Sequence, residues 1–260
     1  MSMKVTVLAS GSKGNCIYIE GNGGAILVDA GISSSRIRSS VETCGGDISR
    51  IEGLCITHEH SDHIRGIDVL TRQCPMPVFG TGGTLAGIKE TLKCSGEANL
   101  RRVVPKETVN TGTFQVTPFS TFHDASDPTG FCISDGEVCV GVCTDTGMVT
   151  SAMMEFLSRC DILVLESNHC SQMLENGPYP AFLKQRIADK NRGHLSNRAA
   201  SNVLSDLCSD LSVAVLAHLS EENNTPEKAL TTARETIGLF SNDVELEVGL
   251  QHALTRTIEV

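Results

Sequence analysis

No apolar run in this chain of 260 residues approaches the roughly 20 residues that a helix needs to cross a bilayer, which excludes a helical membrane span. The opening Met1-Ser2-Met3-Lys4-Val5-Thr6-Val7-Leu8 lacks the n-region and cleavage site of a secretory signal and reads as a strand. No stretch has linker composition and no fixed-period repeat is visible, so a single domain over 1–260 is expected. Basic charge is scarce: 21 Lys and Arg face 31 Asp and Glu, and the net charge of −10 disfavours a protein that coats nucleic acid non-specifically. The eleven cysteines are odd in number and follow no repeating spacing, so they read as reduced thiols and not as a disulfide framework; Cys139 and Cys143 lie inside an apolar, strand-like run. Apolar content of 40% and charged content of 20% are ordinary for a globular chain, and a cytoplasmic location with no membrane partner is expected.

What is present is strand and helix in alternation. Strands are expected over 3–9, 16–20 and 25–29, the last two joined by the hairpin signal Gly21-Asn22-Gly23-Gly24. A helix near 33–44 precedes the buried run Leu54-Cys55-Ile56, and helices over 62–73 and 82–93 follow, the second capped by Thr81. Strands are then expected over 113–119, 129–134 and 137–144, with Asp135-Gly136 turning the last pair. Helices at 149–159, 179–190 and 197–208 alternate with strands at 161–165 and 212–217, and Thr225-Pro226-Glu227 opens a last helix before two short strands. Strand-rich blocks in both halves imply an α/β fold with two sheets face to face and helices outside.

The densest chemistry lies in Thr57-His58-Glu59-His60-Ser61-Asp62-His63, three imidazoles and two carboxylates directly after a buried strand. In extended backbone His58, His60 and Asp62 share a side, leaving His63 to turn to a second centre as the chain bends. Neutral imidazole and carboxylate suit Zn²⁺ first, with Mn²⁺ or Fe²⁺ also fitting, and the absence of a nearby cysteine argues against a closed structural zinc site. So many imidazoles would repel once protonated unless a cation replaced the protons. HxHxDH at a strand end resembles the signature of the metallo-β-lactamase fold, an αββα four-layer sandwich.

Three further strand-end residues fit the same centre: His123 after a strand-like run, Asp145 in Thr144-Asp145-Thr146-Gly147, and His218 after Val213–Ala217. The count gives His58, His60 and His123 to one ion and Asp62, His63 and His218 to the other, with Asp145 between them and room for a bridging hydroxide. Asp29, closing its strand in Asp29-Ala30-Gly31, is either a structural anchor or a support to the site, and His169 is either close to the centre or polar surface; His252 reads as structural or exposed.

The resemblance narrows on Ser-Gly-Ser-Lys-Gly-Asn-Cys at 10–16, His-Asp-Ala-Ser-Asp-Pro at 123–128, Leu-Glu-Ser-Asn-His at 165–169, Gly-His-Leu-Ser-Asn at 193–197 and Ala-His-Leu-Ser-Glu-Glu-Asn-Asn at 217–224. These resemble the YycJ/WalJ (VicX) group, whose members are DNA exonucleases among the nucleic-acid-processing branches. That resemblance implies a nuclease with two divalent cations. Similarity to the tRNA-processing enzyme RNase Z implies that Glu166 pairs with His194 to assist the leaving group. Asp62, read as a ligand, is also expected to accept a hydrogen bond from the nucleophile and orient it. The 73 residues from Asp145 to His218 leave no room for the β-CASP insertion of the larger ribonuclease J enzymes.

Basic residues cluster between Lys184 and Arg198 in an otherwise acidic chain. Lys190, Arg192 and Arg198 are candidate phosphate contacts, joined by Ser196 and Asn197 at the start of a helix whose N–H groups suit a terminal phosphate. The alternatives are a thioester or lactone hydrolase on the same fold, which has no need of the Glu166–His194 pair, and a nucleic-acid-binding regulator without turnover, in which ligands would be lost. DNA is preferred to RNA, and homo-oligomerisation is left open.

Overall fold

The computed structural model describes residues 2–92, 99–238 and 244–260, so Lys93, the last residue of the second expected helix, and Cys94 lie outside the described residues. Strands β1 (Lys4–Ala9), β2 (Cys16–Glu20) and β3 (Ala25–Val28) form an antiparallel meander. Helix α1 (Ser34–Thr43), capped by Ser33, returns the chain to β4 (Ile51–Cys55), parallel to β3. Helices α2 (Ser61–Ile64) and α3 (Ile67–Gln73) lead to β5 (Pro77–Gly80), and α4 (Gly82–Thr91) leads to β6 (Asn99–Arg102). The second half opens with the antiparallel strands β7 (Val109–Asn110), β8 (Gln115–Ser120), β9 (Thr129–Ser134) and β10 (Cys139–Cys143). Then come α5 (Ser151–Leu157), β11 (Ile162–Glu166), α6 (Ser171–Asn176), α7 (Ala181–Ile187), α8 (Asn197–Leu207), β12 (Val213–Ala217), α9 (Pro226–Ile237), β13 (Glu245–Val248) and β14 (Ile258–Glu259).

The strands form two seven-stranded sheets, ordered β14-β1-β2-β3-β4-β5-β6 and β13-β12-β11-β10-β9-β8-β7. Alternation along the strands divides the apolar side chains between layers. Val5, Val28, Val142, Ile162, Val164 and Val215 meet in the core between the sheets. Leu27 and Leu54 face outward onto Ile37, Val41, Ile67 and Ile88 of the first helical layer. Leu163, Leu165 and Leu216 pack under Leu157, Leu204 and Ala233 of the second. β-Branched residues thus line the sheet-on-sheet interface and leucines meet the helices, giving the expected αββα sandwich.

Several local expectations change. The helix expected over 62–73 is two, because the Gly66 N–H leaves the helical ladder to donate to the Ala30 carbonyl at 2.7 Å. A Cβ at Gly66 would stand 2.1 Å from the Ile32 carbonyl, so only glycine permits this crossing. The helix expected over 179–190 contracts to α7, with α6 a separate short helix before it. Strands β5, β6 and β7 were not expected; they are short, and β6 reads Asn-Leu-Arg-Arg with hardly any apolar signal. No helix among the described residues is long and apolar enough to cross a membrane.

Candidate metal centre

Strand ends bring the chemistry together. The loop after β4 carries His58 and His60 and runs straight into α2, which begins at Ser61. The backbone is helical at Asp62, as the helix expected from residue 62 requires, so Asp62 does not share a side with His58 and His60 and instead lies with His63 and His218. Ligand atoms of His58, His60 and His123 lie within 4.8 Å of one another, as do those of Asp62, His63 and His218. Asp145 stands between the two groups, 3.2 Å from His63 Nε2, 3.5 Å from His218 Nε2 and 3.8 Å from His123 Nε2. Glu59, the other carboxylate of the motif, is outside the cluster and accepts hydrogen bonds from the Ser126 N–H and hydroxyl at 2.8 and 2.7 Å.

Three residues at this edge hold left-handed backbone without being glycine: Asp29 at φ 62°, Asp145 at φ 54° and His218 at φ 54°. Such conformations cost about 1–3 kcal/mol each and persist where the surroundings over-determine them. Asp29 Oδ2 is 2.7 Å from His63 Nδ1, and its Oδ1 accepts from the Thr57 N–H at 2.9 Å. Asp29 thus fixes the ring that turns towards Asp145. The Ser10 hydroxyl accepts from the His218 N–H at 2.7 Å, and Asn15 Nδ2 lies 3.0 Å from His63 Nε2.

Glu166, fully buried at the end of β11, is held on all sides. Its Oε1 lies 2.6 Å from His194 Nδ1 and 3.2 Å from His218 Nδ1, and its Oε2 accepts from the N–H groups of Thr146 and Leu195 at 2.9 and 3.1 Å. The His194 ring lies 5.0 Å from that of His123 and 5.3 Å from that of His218. The Gly193 carbonyl lies 3.2 Å from His123 Nδ1, so the loop carrying His194 also orients a candidate ligand.

Electrostatics divide the imidazoles. Burial, reinforced by His63, holds His58 well below the ordinary histidine range, and burial also lowers His123. Burial opposes the charged form of His218 as well, but Asp145 and Asp62 outweigh it and push the pKa up to about 10; against burial, Asp29 and Asp145 raise His63 well above the ordinary histidine range. Burial likewise opposes charge on the Glu166–His194 pair, yet mutual attraction raises His194 and brings Glu166 down to about 2.

The donor set fits divalent cations. His58 Nε2, His218 Nε2 and Asp145 Oδ2 are buried without a hydrogen bond; His218 Nε2 stands 3.5 Å from Asp145 Oδ1 and Asp145 Oδ2 stands 3.2 Å from His63 Nε2. Buried polar atoms are costly in that condition, and two cations, one beside His58 and one beside His218 with Asp145 between them, would satisfy all three. Imidazole and carboxylate without sulfur suit Zn²⁺, Mn²⁺ or Fe²⁺.

The cluster floors a cleft of about 170 Å³ whose walls include Ser12, Asp124, Leu183, Arg186 and Arg192. A larger hollow of about 480 Å³, lined by Leu219, Pro226 and Leu250, contains none of the cluster. Of the candidate phosphate contacts, Arg192 lines the cleft and Lys190 is exposed on the same loop. The other three are corrected. Asn197 is buried, accepting from the Ser167 hydroxyl and donating to Asn224 at 2.8 Å each. The Ser196 hydroxyl caps α8 by accepting from the Ala199 N–H, and Arg198 reaches away to Thr236. The Asn197 N–H already donates to the His169 carbonyl at 2.8 Å, so the first turn of α8 is committed to structure. His169 is buried, not surface, and burial lowers its pKa to about 4; His252 is exposed beside Glu221. Arg186, part of the basic run expected to meet phosphate, is paired with Asp124. The Ser10, Asn15 and Thr57 contacts escaped sequence reading, because a short polar side chain carries no signal of what lies across the fold.

Two facing mixed sheets with helices outside, and imidazoles and carboxylates converging at one edge, define a metal-binding α/β sandwich of the hydrolase type. Residues 25–219 match the beta-lactamase superfamily domain, and the chain belongs to that superfamily. It is 33% identical over 239 residues to exodeoxyribonuclease YycJ of Bacillus anthracis, covering 91% of this chain and 90% of that protein. It is 34% identical over 236 residues to exodeoxyribonuclease WalJ of Streptococcus pneumoniae, covering 89% and 87%. The metallo-beta-lactamase fold protein YhfI of Bacillus subtilis superposes with a TM-score of 0.76 at 17% identity, covering all of both chains.

Proposed function

We propose that this protein is a two-metal phosphodiesterase that degrades DNA as an exonuclease. The observation that carries this reading is the buried Glu166–His194 pair, 2.6 Å apart and set beside the cluster in the cleft that also holds Arg186 and Arg192. Near-full-length similarity to two exodeoxyribonucleases supports the choice of DNA. His58, His60 and His123 would hold one cation, Asp62, His63 and His218 the other, and Asp145 would face both. When bound, such a pair supplies water of lowered pKa and neutralises charge on phosphate oxygens.

The protein's own groups do the rest. Asp62 orients the attacking oxygen. Glu166 occupies His194 Nδ1, which leaves Nε2 to give a proton to the departing 3′ oxygen, and the raised pKa of His194 keeps that proton in place near neutral pH. Arg192 and Lys190 guide the phosphate backbone. The domain reading, one unit over 1–260 without a β-CASP insertion, leaves the cleft open to a strand end. The free thiols of the ten described cysteines suit a reducing, cytoplasmic setting.

The test is a time course on end-labelled single- and double-stranded DNA and RNA with Zn²⁺ or Mn²⁺, beside a thioester. His194→Ala should lose about two to four orders of magnitude in phosphodiester cleavage with metal content unchanged. A small loss, or faster turnover of the thioester than of DNA, overturns the assignment.

A further inference from the structure

A second cluster of metal-binding side chains lies on the other face of the second sheet, under α5. Cys132 in β9, Cys139 at the start of β10 and Cys160 just before β11 bring their sulfurs together: Cys132 to Cys160 and Cys139 to Cys160 are 3.8 Å each, and all three lie within 4.8 Å. A cation with bonds of about 2.3 Å, the Zn–S length, holds its sulfurs about 3.8–4.0 Å apart in tetrahedral or trigonal geometry. Two of the three sulfur separations match this, and the third lies within 4.8 Å.

The surroundings make this a built site. Gly141, paired with Cys132 across the ladder, leaves the space that the Cys160 sulfur fills; a Cβ there would stand 2.8 Å from that atom. The Asp161 carboxylate accepts from the Cys139 N–H at 2.8 Å, and the Asp161 N–H donates to the Cys139 carbonyl at 2.9 Å, so two of the three cysteine segments are tied together. A cleft of about 360 Å³, lined also by Thr117, Arg159 and Asp161, opens onto Cys132 and Cys139 and leaves room for solvent as a fourth ligand. Arg159 lines the same cleft as Cys132 and Cys139. Arg159 also balances the surplus negative charge that three thiolates leave on a divalent ion.

We propose that Cys132, Cys139 and Cys160 form a three-sulfur site for a thiophilic d¹⁰ cation of the Zn²⁺ class, separate from the histidine–aspartate centre. Each thiol gives its proton to solvent as it binds. The simpler account, three small apolar residues sharing a core, predicts no affinity for metal.

Cd²⁺ is the probe, added to the full-length protein after chelation under reducing conditions. A thiolate-to-metal charge-transfer band should saturate at one Cd²⁺ per chain and persist in His58→Ala, because the other centre offers no sulfur. Cys139→Ser, at the partly exposed first residue of β10, should weaken that binding by about two orders of magnitude or more with its thermal transition unchanged. Zn²⁺ should shield three thiols from alkylation in the native chain, counted by intact mass. Absence of the band, or a band of undiminished affinity in Cys139→Ser, overturns the proposal. If Cys160→Ser fails to fold, Cys139→Ser decides.

Discussion

The two halves of the molecule share a plan and use it differently. Each sheet runs through three antiparallel pairings and then three parallel ones, from β14 to β6 in the first and from β7 to β13 in the second. Each carries an aspartate just past the end of its third antiparallel partner, Asp29 after β3 and Asp145 after β10, both with left-handed backbone and both followed two residues later by glycine. Asp29 turns to its neighbour, tying Thr57 and His63 into one loop. Asp145 turns to the centre of the site. The first half gathers its reactive groups on one short loop and spends its strand-end carboxylate on holding that loop. The second delivers one group per strand end: Asp145, Glu166 and His218.

Exchanging the roles of these aspartates is the strongest way to break the comparison. Asp145→Asn should remove most activity, about three orders of magnitude or more, since Asp145 is proposed to help hold both cations, whose charge stabilisation is worth several kcal/mol. Elemental analysis of the purified variant should show metal content below that of the parent. Asp29→Asn should be milder, about 10–100-fold in metal affinity, the usual cost of losing a partner to a ligand. Equal losses in the two variants would show that the halves do not divide the labour in this way.

That division also governs what was legible in the sequence. HxHxDH declares itself because five functional groups are crowded into six positions after an apolar run, and the Asp145 and His218 strand ends follow from similar runs. The Glu166–His194 pair was reachable only through resemblance, since Glu166 reads as the last residue of an apolar strand and His194 as a loop histidine. Hydrogen bonds that Ser10 accepts and Asn15 makes join segments up to 208 residues apart, which no local pattern encodes. Ser196 and Asn197 illustrate the converse error. Their polarity at a helix start suggests a ligand, but a buried helix end must satisfy its own N–H groups first: the Asn197 N–H donates to the His169 carbonyl and the Ala199 N–H to the Ser196 hydroxyl, while Ser167 and Asn224 take up the Asn197 side chain. The matching order of the two sheets was invisible because it is a repeat of pairing, not of residues.

A milder test compares the two proposed ions through pH. His58 and His123 have depressed pKa values and carry no proton near neutrality, whereas His63 and His218 are raised, His218 to about 10, and hold protons that a cation must displace. Affinity at the His63–His218 position should therefore fall as pH falls, about tenfold per unit for each proton displaced, while the His58–His123 position stays nearly flat. Competition with a chelator between about pH 6 and 8 should resolve one steep and one shallow dependence, with proton release read from calorimetry in buffers of different ionisation enthalpy. Two parallel dependences would mean that the carboxylates do not separate the sites.

The smallest expected effect concerns the basic residues of the second half. Arg192 lines the cleft and Arg198, six residues on, is turned to Thr236 at 3.3 Å. A phosphate contact releases counterions, so Arg192→Ala should weaken DNA binding at every sequence and reduce the salt slope by about one. Arg198→Ala should leave that slope intact, because its guanidinium is occupied at the α8–α9 contact. Fluorescence anisotropy across a salt series separates the two. A lower slope in Arg198→Ala with no change in Arg192→Ala would mean that the substrate approaches over α8, and the open strand-end path along the 186–194 loop would have to be abandoned.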